Sequence, residues 1–146
     1  MPDEKQILNA VKDALAADTT LAAYVKSFSV GDMEISRKIF PYISVGNINH
    51  SLATATMGSG GKDRVTYMFE IRGGVKHHRC EKAFSGEEGI MQLCEDIVSV
   101  AWPNDFGVFG SPAEIVAVRP AHISGTAGTL WIASVNLRGV CLVDRI

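Results

Sequence analysis

The strongest constraint on the fold is a segment with alternating apolar residues, followed along the chain by a segment with helical spacing. Residues 64–72 show the period of two that is typical of a half-buried strand, with an apolar set consisting of Val65, Tyr67, Phe69 and Ile71. Apolar residues then recur at spacings of three and four, which predicts an amphipathic helix; they are Ile90, Met91, Cys94, Ile97, Val98 and Ala101. We expect the strand and the helix to cover each other's apolar surfaces.

Two pairs of residues predict where helices begin. Ser85 and Glu88 precede the central helix with the S-x-x-E spacing of a capping box, in which each residue's side chain bonds the other's backbone N–H. Asp3 and Gln6 have an equivalent spacing ahead of another apolar stripe. They predict a first helix over residues 4–17.

The next part of the chain predicts a short helix and one strand. Residues 18–20 interrupt the first helix and cap a shorter one over residues 21–26. Residues 28–38 have the composition of an irregular segment with a turn. Residues 39–45 are predicted to form a strand. Its Pro41 indicates an edge strand or the first residues of a strand, because proline cannot donate to a strand ladder.

Two further strands are predicted in the C-terminal part of the chain. Residues 114–118 form the first, which we expect to end at Arg119-Pro120. Residues 130–143 form the last and longest strand, in which Gly139 marks a bulge or bend.

Together these elements predict a single α+β domain over residues 1–146. Adjacent strands without regular crossover helices favour a mixed or mainly antiparallel sheet of about four strands. The helices gather on one face, which gives a two-layer sandwich. With 47% hydrophobic residues, the chain is able to build a core without metals or disulfides. Of its three cysteines, Cys94 and Cys141 fall in apolar patterns as small core residues, which is typical of a soluble protein from a reducing cytoplasm.

Two segments contain no Asp, Glu, Lys or Arg, and both are predicted to be polar loops: residues 46–61 and residues 122–129. A flexible surface loop is one interpretation. The other is a loop that lies against another subunit, where burying a charge is costly. On that interpretation the candidate subunit or tube contacts are Asn47, Asn49, His50, Thr54, Thr56, Met57, His122 and Thr126.

Basic residues gather in residues 62–82, where they share the segment with Asp63, Glu70 and Glu81. The net charge of −2 excludes a basic field over the whole protein. In a monomer the segment would be a mixed, solvated surface, whereas copies around an axis would repeat its charges as a ring that attracts phosphate backbone. The residues expected to face a lumen or a neighbour are Lys62, Arg64, Arg72, Lys76, Arg79 and Lys82.

No motif in the sequence carries recognisable catalytic chemistry. Residues 58–62 read Gly-Ser-Gly-Gly-Lys, but Thr56 and Asp63 stand where a phosphate loop needs a glycine and a Ser or Thr. The run His77-His78-Arg79-Cys80 has no second His/Cys pair at a metal-site spacing. The sequence therefore predicts no enzymatic activity, no cofactor and no metal. It also lacks the run of about 20 apolar residues needed to cross a membrane.

The order of elements resembles the tail terminator and minor tail (head–tail joining) proteins of tailed bacteriophages. An N-terminal helix is followed by Leu-Ala-Ala-Tyr-Val, a Phe-Pro-Tyr-Ile-Ser-Val strand and a long loop. An Arg-Val-Thr-Tyr-Met-Phe-Glu-Ile-Arg strand, a Ser-Gly-Glu-Glu helix and a closing hairpin complete the order. The resemblance covers nearly the whole chain as an order of elements, without a residue motif.

The resemblance implies a structural role in the virion, after synthesis in the host cytoplasm. Subunits of this kind form a homo-oligomeric ring, commonly a hexamer, that caps the tail tube and meets the head connector. The implied partners are other copies of the chain, the tail tube protein and a head-completion or connector protein. DNA would pass through the channel without sequence recognition, and no membrane or cofactor is involved.

Two alternatives stay open at this point. A tail-tube or head–tail adaptor protein of the same particle would share these features. A monomeric or dimeric small-ligand-binding or enzymatic α+β domain is an alternative of another class, with a pocket between helix and sheet near the histidines.

Overall fold

The computed structural model describes residues 3–31, 39–54, 61–77, 89–123 and 129–144. In these ranges the chain forms three helices and five strands. The helices are α1 (Glu4–Ala17), α2 (Thr19–Ala22) and α3 (Ile90–Ala101), and the strands are β1 (Ser27–Val30), β2 (Tyr42–Thr54), β3 (Lys62–His77), β4 (Glu114–Ile123) and β5 (Thr129–Asp144).

The five strands form one mixed sheet in the order β1-β2-β3-β5-β4. β1 and β2 are parallel, and the other three pairs are antiparallel. The α+β class and the mixed sheet are as predicted, but the sheet has a fifth strand where the sequence predicted an irregular segment. β1 has only four residues, which is too short for its own alternation to be recognised, and its strand geometry depends on pairing with β2.

β2 is much longer than predicted. It begins at Tyr42, directly after Pro41, and continues to Thr54 through half of the segment predicted to be a loop. Residues 46–54 are mainly polar, yet their backbone pairs with β3 over almost its whole length. The pairing is interrupted between Gly46 and Asn49 by a bulge. Residues 55–60 of the predicted loop lie outside the described residues.

β4 also continues beyond its predicted end, because it is the outermost strand on its side of the sheet. An edge strand tolerates a proline, whose missing N–H can face solvent, so Arg119 and Pro120 remain within the strand. His122 therefore lies in a strand rather than in a loop. The second predicted loop is described only at its ends, since residues 124–128 lie outside the described part of the chain.

β5 pairs with β3 on one side and with β4 on the other, and of the bulge or bend predicted at Gly139 the bulge is wrong. The register between β3 and β5 is unbroken, with Gly139 opposite Tyr67. Gly139 is instead the place where the Phe109 ring lies on the sheet: a Cβ atom there would be 2.4 Å from that ring. The described bulges are the one in β2 and one in β4 between Ile115 and Ala117.

The first helix begins as its capping residues predict. Asp3 and Gln6 form the capping box of α1, with a Gln6 N to Asp3 Oδ1 distance of 2.7 Å. α2 is shorter and earlier than predicted, and the Asp18 side chain caps it. α3 has Gly89 at its N-cap without a side-chain bond. Ser85 and Glu88 lie outside the described residues.

The helices share one hydrophobic core with one face of the sheet. α3 contributes Leu93 in addition to the predicted Ile97 and Ala101, whereas the predicted Met91 is 46% exposed. A Cβ atom at Gly73 would lie 2.7 Å from Leu93 Cδ2, so α3 packs directly on β3. The strand residues of the core belong to a single face: Ile43, Val45, Val65, Tyr67, Phe69, Ile71, Val75, Ala133, Val135, Leu137 and Cys141.

Candidate functional site

The sheet face opposite this core is the candidate binding surface, and we call it the open face. It carries the even-numbered side chains of β3 and β5. Most of them are half-buried or exposed, in contrast to the buried side chains of the core face. Tyr42, whose ring lies over Gly74, and Leu130 are also on the open face; they are buried but do not belong to the core cluster.

Four of the six predicted basic residues lie on the open face. Lys62, Arg64, Arg72 and Lys76 occupy alternate positions of β3 and therefore share one face. Arg138 of β5 and Arg119 of β4 lie on the same face, opposite Met68 and beside Ser134 respectively. The two remaining predicted basic residues, Arg79 and Lys82, lie outside the described residues.

A small polar pocket opens on this face beside the β2 bulge. It encloses about 270 Å³, including its open mouth, and its lining is Gly31, Ser44, Gly46, Asn47, Glu70 and Arg72. Gly31 and Asn47 have positive φ angles of 83° and 51°, and the bulge turns the chain at this point. The predicted contact residue Asn47 and the predicted basic residue Arg72 thus line the same pocket.

Glu70 connects the two sides of the pocket. Its Oε1 accepts a hydrogen bond from Asn47 Nδ2 at 3.0 Å and lies 2.9 Å from Arg72 Nη2. Ser44 is 4% exposed and lies next to Arg72 across the β2–β3 pair. The site therefore offers amide and guanidinium donors together with carboxylate and hydroxyl acceptors, which suits a small polar group.

A second ion pair lies on the open face near β4. Arg138 and Glu114, which are opposite each other across the β4–β5 pair, form an ion pair. Both side chains are largely solvent-exposed, so this pair contributes little to stability. Its main effect is to neutralise Glu114 on the basic face.

His50 lies on the core face of the sheet and contacts α1. Its Nδ1 lies 2.7 Å from Glu4 Oε1 in the first turn of α1, and its ring centroid lies 5.7 Å from that of Tyr67. The bulge in β2 causes this placement, because a shift of register moves the residues after it to the other face. His50 is therefore not part of the polar pocket.

In the described part of the chain, strand segments at both edges of the sheet have no neighbouring strand on one side. β1 covers β2 only from Tyr42 to Val45, so residues 46–54 have no strand on their outer side in the described part of the chain. This outer half of β2 contains no Asp, Glu, Lys or Arg. On the opposite edge, β4 exposes Val116 by 50% and Val118 by 41%. Unpaired strand edges of this kind readily take up another strand.

The other predicted contact residues are placed only in part. Asn49 and His50 are exposed residues of the outer half of β2. Thr54 and His122 lie in β2 and β4, but their side chains are not among those described, and neither are Thr56, Met57 and Thr126. The described parts of the two predicted segments do not meet, because β3 and β5 lie between β2 and β4 in the sheet.

Among the described residues, three groups have a raised pKa, and all belong to the helix side. Burial is the main cause for Tyr67, Cys94 and Cys141, with a smaller contribution from Glu95 for Cys94. The Cys141 thiol donates to the Val108 carbonyl at 3.1 Å. These features fit the prediction that the two cysteines are small core residues, although Cys94 is only half-buried.

Within the described ranges, no three His, Cys, Asp or Glu side chains are arranged to hold a metal ion. In the same ranges, no helix is long and apolar enough to cross a membrane. Comparison of the sequence with protein-family models and with curated proteins gives no match.

Sequence reasoning missed the partners of several of these residues. In the sequence, Glu70 stands out only as one acidic residue within the basic segment. Its spacing of two from Arg72 is nevertheless enough to place both residues on one face of the strand. Ser44, Arg119 and Arg138 carried no signal of their own. They join the open face through strand register, which the sequence does not specify.

Proposed function

We propose that this protein is a structural subunit of a bacteriophage virion, a tail terminator that forms a homo-oligomeric ring. On this proposal the ring caps the tail tube and joins it to the head connector. Its helices and sheet form a two-layer sandwich whose role is to present binding surfaces. The proposal includes no enzymatic step and no cofactor.

The observation that carries this proposal is the pair of dissimilar open edges on one sheet. The outer half of β2 lies on one side and β4 lies on the other. A contact between dissimilar edges is head-to-tail, and head-to-tail contacts close into rings when the rotation between subunits allows it. Residues 46–54 bring no charge to such a contact, and Val116 and Val118 supply apolar surface.

The experiment is to measure the mass of the purified chain by light scattering after size exclusion, with negative-stain images of the same peak. We expect a ring near six copies of the 15.7 kDa chain. A monomer at every protein concentration and at low salt, without rings in the images, would contradict the proposal.

Single lysine substitutions locate the contact, because a lysine on an edge strand blocks pairing with another strand. Ser51→Lys lies on the outer half of β2 and Val118→Lys lies on β4; both positions are exposed. We expect each to lower the fraction of assembled protein. Thr20→Lys on α2 adds the same charge at an exposed helical position and should leave assembly unchanged. If all three variants assemble like the parent, the edges are not the interface.

The polar pocket favours a second candidate, a monomeric or dimeric domain that binds a small polar ligand. The pocket lies on the open face and has no histidine in its lining, unlike the pocket expected from the sequence. A ligand that binds the folded state raises the melting temperature. A thermal-shift screen that finds such a ligand, for a chain that stays monomeric, would favour this candidate over the ring.

A further inference from the structure

We propose that the open face binds the phosphate backbone of duplex DNA without sequence preference. The inference rests on the proposed function in one respect only: a tail ring that the genome passes through meets duplex DNA, which identifies the polyanion. The charge distribution and geometry that support it belong to the single chain.

The molecule separates its charges between its two sides. Among the described strand residues, the open face has six basic positions (Lys62, Arg64, Arg72, Lys76, Arg119, Arg138) and three acidic ones (Glu70, Glu114, Asp144), an excess of three positive charges. Among these positions, the side chain of Asp144 alone is not described.

The helices show the opposite balance. Together with their capping residues, α1, α2 and α3 carry six acidic residues and two basic ones, an excess of four negative charges. The acidic residues are Asp3, Glu4, Asp13, Asp18, Glu95 and Asp96, and the basic ones are Lys5 and Lys12. A protein with a net charge of −2 thus has one electropositive face.

Ion pairs within the open face do not cancel this excess. Glu70 is paired with Arg72, and Glu114 is paired with Arg138. Among the described residues, Arg64, Lys76 and Arg119 have no acidic partner. These three residues are exposed to solvent.

The arrangement of these charges suits an extended polyanion better than a small ligand. Lys62 and Lys76 lie at opposite ends of β3, fourteen residues apart, which corresponds to about 48 Å at a rise of about 3.4 Å per residue. Arg119 lies beside Arg72 in the same cross-strand row, two strands away, or about 10 Å. A duplex carries one negative charge per about 1.7 Å of its axis, so a strip of this length spans many phosphates.

The described part of the same face lacks the features needed to read DNA base edges or to bind an anionic membrane. Reading base edges in the major groove requires a helix or a two-stranded ribbon that enters the groove, and the described part of the open face is the surface of a broad sheet. An anionic membrane would require apolar side chains among the basic ones. Among the described residues of β3 and β5 on the open face, Leu142 is the one large apolar side chain that is strongly exposed.

The test is fluorescence anisotropy of a labelled, mixed-sequence duplex of about 20 base pairs, titrated with the full-length chain over a series of salt concentrations. We expect binding at low salt that weakens linearly on a log–log plot. Replacing two phosphate contacts by Arg64→Ala and Arg119→Ala should reduce the salt slope by about 2.

A matched pair of charge reversals separates a local site from a general effect of net charge. Arg64→Glu with Arg119→Glu changes the open face, and Lys5→Glu with Lys12→Glu makes the same change on α1. We expect the first pair to weaken binding at least tenfold and the second by less than twofold. Circular dichroism melts confirm that both variants fold.

Three results would overturn the proposal. They are no binding by the parent chain at low salt, equal losses in the two charge-reversed variants, and equal binding of vesicles containing anionic lipid or of poly-glutamate. Light scattering in the same buffer keeps the two proposals apart. A monomer that binds DNA would support the open-face site and contradict the ring. A ring that does not bind DNA would support the ring and contradict the open-face site.

Discussion

The two faces of the same sheet have opposite properties. On the core face of β3, Val65, Tyr67, Phe69, Ile71 and Val75 are at most 5% exposed, while most of their neighbours on the open face are half-buried or exposed. The core face holds the helices and the groups with raised pKa, and the open face holds the basic residues and the polar pocket. Consecutive residues of one strand therefore serve stability and binding in turn, so the two properties can be changed separately.

The largest expected difference comes from two leucines of β5 that lie on opposite faces. Leu137 is fully buried in the core, whereas Leu142 is 57% exposed on the open face. Leu137→Ala leaves a cavity and should lower the free energy of unfolding by about 2–5 kcal/mol. Leu142→Ala should change it by about 0.5 kcal/mol or less. Urea unfolding measures both. Equal effects would show that the open face is covered in the folded protein.

Glycine-to-alanine substitutions at two positions provide a second comparison, because each adds one methyl group. At Gly139 the new Cβ would meet the Phe109 ring at 2.4 Å, and at Gly46 the nearest atom is Gly31 Cα at 3.8 Å. Gly139→Ala should cost about 1–3 kcal/mol because the ring has to move. Gly46→Ala should be neutral or slightly stabilising, since it restricts the unfolded chain. Thermal melts of the two variants test this order.

A smaller effect is expected from Asp3, an acidic residue of the helix side whose side chain caps α1. Asp3 caps α1 through the Gln6 N–H, so Asp3→Ala should cost about 1 kcal/mol. Asp3→Asn keeps the acceptor and should retain most of that stability. Asp13→Ala, at an exposed position of the same helix, serves as the control and should change little. A loss in the Asn variant as large as in the Ala variant would point to charge rather than capping.

The smallest expected effect is a pH dependence that belongs to the core face alone. Burial raises the pKa of Cys94, Cys141 and Tyr67, so the unfolded chain loses these protons first as the pH rises. Their contribution to stability is complete at neutral pH and is lost above about pH 9, as the pH passes through the folded pKa values. Urea midpoints at several pH values should fall in this range. The decline should be shallower in a Cys94→Ala, Cys141→Ala double variant.

Several elements could be predicted because their signals are local. The capping box of α1 lies within four residues, and the alternation of β3 repeats over four apolar positions. β1 and the outer half of β2 could not be predicted in the same way. Their strand geometry comes from backbone pairing with a neighbour, which leaves no alternation in short or polar segments.

The candidate site was predictable to a similar degree. Alternation within β3 is enough to place Lys62, Arg64, Arg72 and Lys76 on one face. Arg119 joins them only because of the bulge between Ile115 and Ala117. In a regular strand Glu114 and Arg119 would point to opposite faces of the sheet, since an odd number of steps along the chain separates them, and the bulge brings them to the same face.

The sequence by itself determined the faces within each regular segment, through the fixed periods of strand and helix. The tertiary structure decided which segments became neighbours and where the alternation changed phase, in β2 between Gly46 and Asn49 and in β4 between Ile115 and Ala117. A bulge is defined by which residues of two strands pair, and the alternation within one segment does not specify that pairing. For that reason the pocket beside Asn47, the placement of His50 against α1 and the full basic face exist only in the folded sheet.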